Sequence, residues 1–176
     1  MPFESAIISR PRKYLRDAFV LRLREAYGLT LQLSSTYEEV AESASDAELR
    51  ESGVRRIQVL HEQVRRLADV FGMLHEAPRA SHCRGMRGIL DEVRAAIDDE
   101  TSDPLSRDAR LVAGCRRAVH YEIASYRTLR DWGRSLGMTR ALPLFEQTLV
   151  EDCDADLTMA SLAAAKPCPM QPPGHP

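Results

Sequence analysis

Two helical segments of this chain place acids where a helix bundle ordinarily carries apolar side chains. In the first, Leu111, Cys115, Ala118, Val119, Glu122, Tyr126, Leu129, Gly133 and Leu136 recur at spacings near three and four, so Glu122 falls within one face of a 3.6-period helix. In the second, Leu142, Phe145, Leu149, Asp152, Asp156, Met159 and Ala163 form a similar stripe, with two aspartates one turn apart and Glu151 beside them. A carboxylate driven into a bundle interior must find a cation, a metal ion or a proton, because an unpaired buried charge is very costly.

Each of those partners implies different chemistry. Glu122, Asp152 and Asp156 form an oxygen-rich half-set suited to one hard divalent ion, iron or manganese, with water completing the shell. His61 on the second helix is a further candidate ligand, although its place at the edge of the Ile57, Leu60, Val64, Leu67, Phe71 and Leu74 stripe also suits a boundary histidine. The alternative to metal is ion pairing across the bundle with Arg56 or Arg66. A two-iron bundle site draws on about six ligands, commonly two Glu and two Glu-x-x-His pairs. No histidine here follows an acid at that spacing: Gln58 precedes His61, Gly72 precedes His75, Arg79 precedes His82 and Arg117 precedes His120.

The elements that must position these acids are helices. The spacing predicts long helices over about Leu15–Glu42, Ala47–His75, Ser106–Leu136 and Thr139–Ala165. Ser45 or Asp46 is a capping residue for the second, and Gly137 a left-handed terminator for the third. Between Pro78 and Asp103 lies a shorter amphipathic helix, about Met86–Asp98, whose apolar face is Met86, Ile89, Leu90, Val93 and Ile97. The expectation is an all-α four-helix bundle with a short fifth helix in the crossover between helices two and three, the connectivity of ferritin-like folds. Residues 1–14 are read as an N-terminal extension, 15–166 as the bundle, and 167–176 as a disordered proline-rich tail.

Composition narrows the function. The 176 residues suit one domain, and a net charge of -2 supplies no global field toward nucleic acid or an anionic membrane. The basic residues are nearly all arginine, interleaved with acids as on solvated helix faces. No apolar run approaches the roughly 18 residues of a membrane span. Cys83, Cys115, Cys153 and Cys168 lack a disulfide or zinc framework and read as reduced thiols of a cytoplasmic protein. Phosphate loops, dinucleotide fingerprints and nucleophile elbows are absent.

The string His120-Tyr121-Glu122-Ile123-Ala124-Ser125-Tyr126, with the segments Cys83 to Glu92 and Leu144 to Leu157, resembles the bacterial YciE/YciF-like ferritin-like family over about residues 17 to 164. The resemblance implies a stress-associated, dimeric bundle with a di-metal site. It also implies carboxylates where this chain has Thr30, Val59 and Val119, alongside those it keeps at Glu122, Asp152 and Asp156. Three of the implied carboxylates are therefore missing.

Together these readings predict a stress-associated bundle with a depleted di-metal site that acts by oligomerisation or partner binding, as a homodimer. The competing expectation is an iron- or manganese-binding protein using Glu122, Asp152, Asp156, Glu151 and His61. Apolar residues on helix one, among them Phe19, Val20, Leu21, Leu23, Leu29, Leu31 and Leu33, cover more than one face and point to a further packing surface.

Overall fold

The computed structural model describes residues 3–165, with side chains from residue 12 onward. The expected tail at 167–176 lies outside the described residues. Five helices account for the described residues: α1 (Phe3–Ser43), α2 (Ala47–Met73), α3 (Arg84–Ile97), α4 (Pro104–Leu136) and α5 (Leu142–Ala165). Among the described residues there is no strand. No helix among them is long and apolar enough to cross a membrane.

Capping fixes the boundaries. The Asp46 carboxylate accepts from the Leu49 amide at 2.9 Å and starts α2. Asp103 accepts from the amides of Leu105 and Ser106, and Pro104 occupies the first turn of α4, where its missing N–H costs nothing. Asp103-Pro104 therefore launches α4 rather than ending the short helix, which stops earlier, at Ile97. Gly137 adopts φ 76° and closes α4 as expected.

Two ends differ more. The first helix begins at Phe3 rather than Leu15 and passes through Pro11, so most of the expected extension is helical. A proline removes one backbone donor without ending a helix whose later turns are held by packing. Arg12 also donates to the Leu136 carbonyl at 3.1 Å, tying this part of α1 to the end of α4. At the other boundary, residues 139–141 form a turn closed by the Ala141 amide on the Met138 carbonyl at 2.9 Å, which delays α5 to Leu142.

The four long helices surround a common core, α1 against α2 and α4, and α5 against α4 and α2, while α3 lies across α1 and α4. Phe19, Leu23, Leu29 and Leu33 of α1 meet Leu60, Leu67 and Phe71 of α2, with Met86, Leu90 and Val93 contributed by α3. Each such side chain contributes about 1.5–3 kcal/mol by leaving water. Contact with three other helices explains the overfilled apolar pattern of α1, and only Leu21 and Leu31 of that set remain exposed. Where the loop after α2 crosses α1, the Ser81 amide donates to the Arg24 carbonyl at 2.9 Å.

Candidate functional site

At the centre of the bundle, α4 delivers Glu122 and α5 delivers Asp152, both with no solvent exposure. Between them stands Arg56 of α2, itself buried. A single nitrogen, Arg56 Nη2, donates to Glu122 Oε2 at 2.6 Å and to Asp152 Oδ1 at 2.7 Å. Gln63, two turns further along α2, donates through Nε2 to Asp152 Oδ1 at 2.8 Å and to Glu151 Oε2 at 3.2 Å. Arg66 completes the row, pairing with Glu151 and donating through Nε to Thr148 Oγ1 at 3.2 Å.

Of the four acids and one histidine singled out from the sequence, the structure brings Glu122 and Asp152 together on Arg56, with Glu151 at the edge of the same network. Asp156 is not part of it. Its carboxylate faces the α4 side, 2.6 Å from Arg116 Nε and 3.0 Å from His120 Nε2. His61 is exposed on α2. The tyrosines near the site do not bond the acids: Tyr126 OH shares a 3.1 Å hydrogen bond with Thr30 Oγ1, Tyr121 OH lies 3.3 Å from Cys83 Sγ, and Tyr27 packs edge-on to Phe71. Cys153 is exposed and Cys115 buried, so these two thiols do not face each other.

The electrostatics follow from one cation serving two buried carboxylates. Burial raises Glu122 most, the Asp152 charge raises it further, and Arg56 only partly offsets them, leaving its carboxyl at about 8. Burial also raises Asp152, against the lowering pull of Arg56. Arg56 is raised by both acids despite its own burial. Burial and mutual repulsion thus drive the pair toward sharing one proton, which leaves one negative charge for one guanidinium. Asp156, by contrast, is held low, mainly by its hydrogen bond from Arg116.

A pair of divalent cations does not fit these residues. Thr30, Val59 and Val119 supply no charge, and Thr30 is already engaged with the Ala26 carbonyl and Tyr126. The space between the two acids holds a guanidinium, whose positive charge repels a second cation strongly at this distance in a medium of low polarity. Among the described residues, no group of three or more His, Cys, Asp or Glu side chains converges to hold a metal ion.

Arg56 is the residue whose importance the sequence understates, since Arg55-Arg56 resembles a solvated pair. Its signal is register: Leu49, Gly53, Arg56, Leu60, Gln63, Leu67 and Val70 recur at alternating spacings of four and three, and all are buried. A cavity of about 150 Å³ between α2 and α5, lined by Tyr37, Arg56, Val59 and Met159 among others, reaches the guanidinium from the surface. In the clamp itself, Arg56 Nε and Nη1, Gln63 Oε1, Glu122 Oε1 and Asp152 Oδ2 are buried without a hydrogen-bond partner in the protein.

The chain is 28% identical over 152 residues to Protein YciF of Escherichia coli (strain K12), spanning 86% of this chain and 91% of that protein. Its fold superposes on the crystal structure of the E. coli stress protein YciF with a TM-score of 0.82, covering 86% of this chain and 96% of the other. YcfI from Rhodopseudomonas palustris superposes with a TM-score of 0.80 at 26% identity, over 84% and 93% of the two chains. A protein from Xanthomonas campestris pv. campestris, 18% identical with a TM-score of 0.68 over 86% of this chain and 92% of its own, shares the fold. Residues 14–167 match the family described as Domain of unknown function (DUF892), and this YciF-like chain belongs to that family.

Proposed function

We propose that this protein is a stress-associated ferritin-like bundle of the cytoplasm, without a catalytic role, whose depleted di-metal site leaves it to act by self-association and partner binding. The stress association rests on the likeness to the E. coli stress protein YciF. Self-association rests on one observation: α5 carries an outward apolar stripe. Val150, Cys153, Leu157, Ala160 and Ala164 follow spacings of three and four, and Val150 and Leu157 are 61% and 67% exposed. Such a stripe is the seam along which helices of two molecules pair.

The occupant this face suits best is a second copy of the chain. On α5 the stripe is bordered by Glu146 and Asp154, with no Lys or Arg in the helix. The adjoining exposed face of α2 carries Arg55 and Arg65, each beside an acid of its own helix, Glu51 and Glu62, and so free to exchange that partner for one across an interface. A two-fold arrangement that sets α5 of one copy against α2 of the other buries both stripes and opposes unlike charges. Sedimentation of wild type and Leu157→Arg tests it. A micromolar dimer that the substitution weakens by at least about tenfold, or about 1.4 kcal/mol, is expected. A wild type that stays monomeric at tens of micromolar defeats the reading.

The alternative is an iron- or manganese-binding protein using Glu122, Asp152, Glu151, Asp156 and His61. It draws support from Glu122 Oε1 and Asp152 Oδ2, which have no protein partner. It requires Arg56 to leave its place between the two acids and Asp156 to leave Arg116, and the two ion pairs weigh against it.

A further inference from the structure

We infer that the centre of this bundle is a cation site whose cation is built into the chain: the Arg56 guanidinium takes the place of a bound ion between Glu122 and Asp152. The inference rests on the depleted-site part of the proposed function and goes beyond it by naming what fills the site and what would replace it.

The bonding pattern carries the argument. Arginine usually meets a carboxylate through two parallel N–H bonds from its fork. Arg56 does not do so here. One nitrogen, Nη2, serves both carboxylates, each through one oxygen, at 2.6 and 2.7 Å. Nε and Nη1 have no protein partner, nor do Glu122 Oε1 and Asp152 Oδ2. Two carboxylates from two helices each offer one oxygen to a shared positive centre, which is how monodentate ligands address an ion rather than how a fork addresses a carboxylate. The acids are withdrawn from solvent: Glu122 and Asp152 have no exposure, and Arg56 is only 5% exposed.

The tether changes the physics of the site. A free ion must lose its hydration and its translational freedom to enter, and its occupancy follows its concentration. A side-chain cation is present whenever the helix is folded, so the two acids remain paired whatever the metal supply. The same tether excludes divalent ions from wild type, because a second positive centre beside the guanidinium is repelled. Shortening the side chain leaves two carboxylates, Gln63 Oε1 and the emptied volume, reached through the cavity between α2 and α5. The site then accepts a small free cation.

The test uses the full chain as wild type and as Arg56→Gly, unfolded with heat or urea. Millimolar guanidinium chloride raises the midpoint of Arg56→Gly relative to equal sodium chloride and leaves that of wild type unchanged or lower. Manganese(II), followed by equilibrium dialysis and electron paramagnetic resonance, binds to Arg56→Gly near one per chain and not to wild type. If Arg56→Gly is unfolded alone, the same titrations are read as recovery of its helical circular dichroism. A variant that neither gains stability nor recovers helix with either cation overturns the inference alone, with the depleted-site reading intact. A wild type that binds two manganese ions per chain overturns both.

Discussion

Arg56 and Glu122 lie 66 residues apart in sequence and meet at 2.6 Å in the bundle centre, where Asp152 shares the same nitrogen. This contact sets the cost of disturbing the core. Arg56→Met leaves the buried Glu122–Asp152 pair without its cation and is expected to lower stability by about 3–5 kcal/mol in urea unfolding. Adding Glu122→Leu and Asp152→Leu removes the stranded charges and recovers most of that loss, because a well-packed apolar cluster replaces a buried ion pair at little cost. A single Arg56→Met that costs under about 1 kcal/mol shows that the clamp carries no structural weight.

The raised Glu122 carboxyl makes stability depend on pH in an unusual direction. Its folded value of about 8 exceeds its unfolded value of 4.5, so between the two the folded state binds more protons. Stability from this group is complete below about pH 4.5, declines as pH rises toward 8 and then levels off, with a limiting slope of about 1.4 kcal/mol per pH unit. Asp152 shifts the same way, while Asp156, held low by Arg116, acts oppositely at acid pH. Urea unfolding at about pH 5.5 and 8 should show wild type losing stability toward the higher pH, and Glu122→Gln losing less. Equal pH responses in the two proteins refute the assignment.

A third buried acid works as a cap across helices. Asp108 of α4, 2% exposed, accepts from the Ser45 amide at 3.0 Å and the Asp46 amide at 2.8 Å, which fastens the turn between α1 and α2 to the side of the bundle. Asp108→Ala leaves both amides without this acceptor, with an expected loss of about 2–3 kcal/mol. Hydrogen exchange should show the amides of Ser45 and Asp46 opening before those of Leu60 and Leu67. Unchanged protection at Ser45 and Asp46 in Asp108→Ala removes Asp108 from this role.

Much of this arrangement was legible in sequence for one reason: apolar period and cap chemistry are local. Asp46 and Gly137 mark helix ends through bonds within a few residues. Glu122 and Asp152 stood out because each interrupts an apolar stripe. Asp156 interrupts one too, yet a single turn along α5 rotates it toward Arg116 and His120, a difference of angle that spacing alone does not resolve. On α2 the error ran the other way. The stripe drawn through Ile57 and Val64 followed the apolar residues, whereas the buried register runs through Arg56 and Gln63, because the site fills its central positions with polar side chains. Where a bundle buries chemistry, the apolar pattern points slightly away from it.

The cysteines report on the core and the α5 face together. Cys115 is buried, and burial pushes its thiol up to about 12, while Cys83 is buried against Tyr121 and Cys153 is exposed in the apolar stripe. Thiolate is the reactive form, so in a Cys168→Ser background a maleimide at neutral pH should modify Cys153 roughly a hundredfold or more faster than Cys115. If α5 pairs with a second copy, that reaction slows as protein concentration rises through the dimer range, and Leu157→Arg restores the fast rate. A Cys153 rate independent of protein concentration, in a sample shown to be dimeric, moves the interface to another face of the bundle.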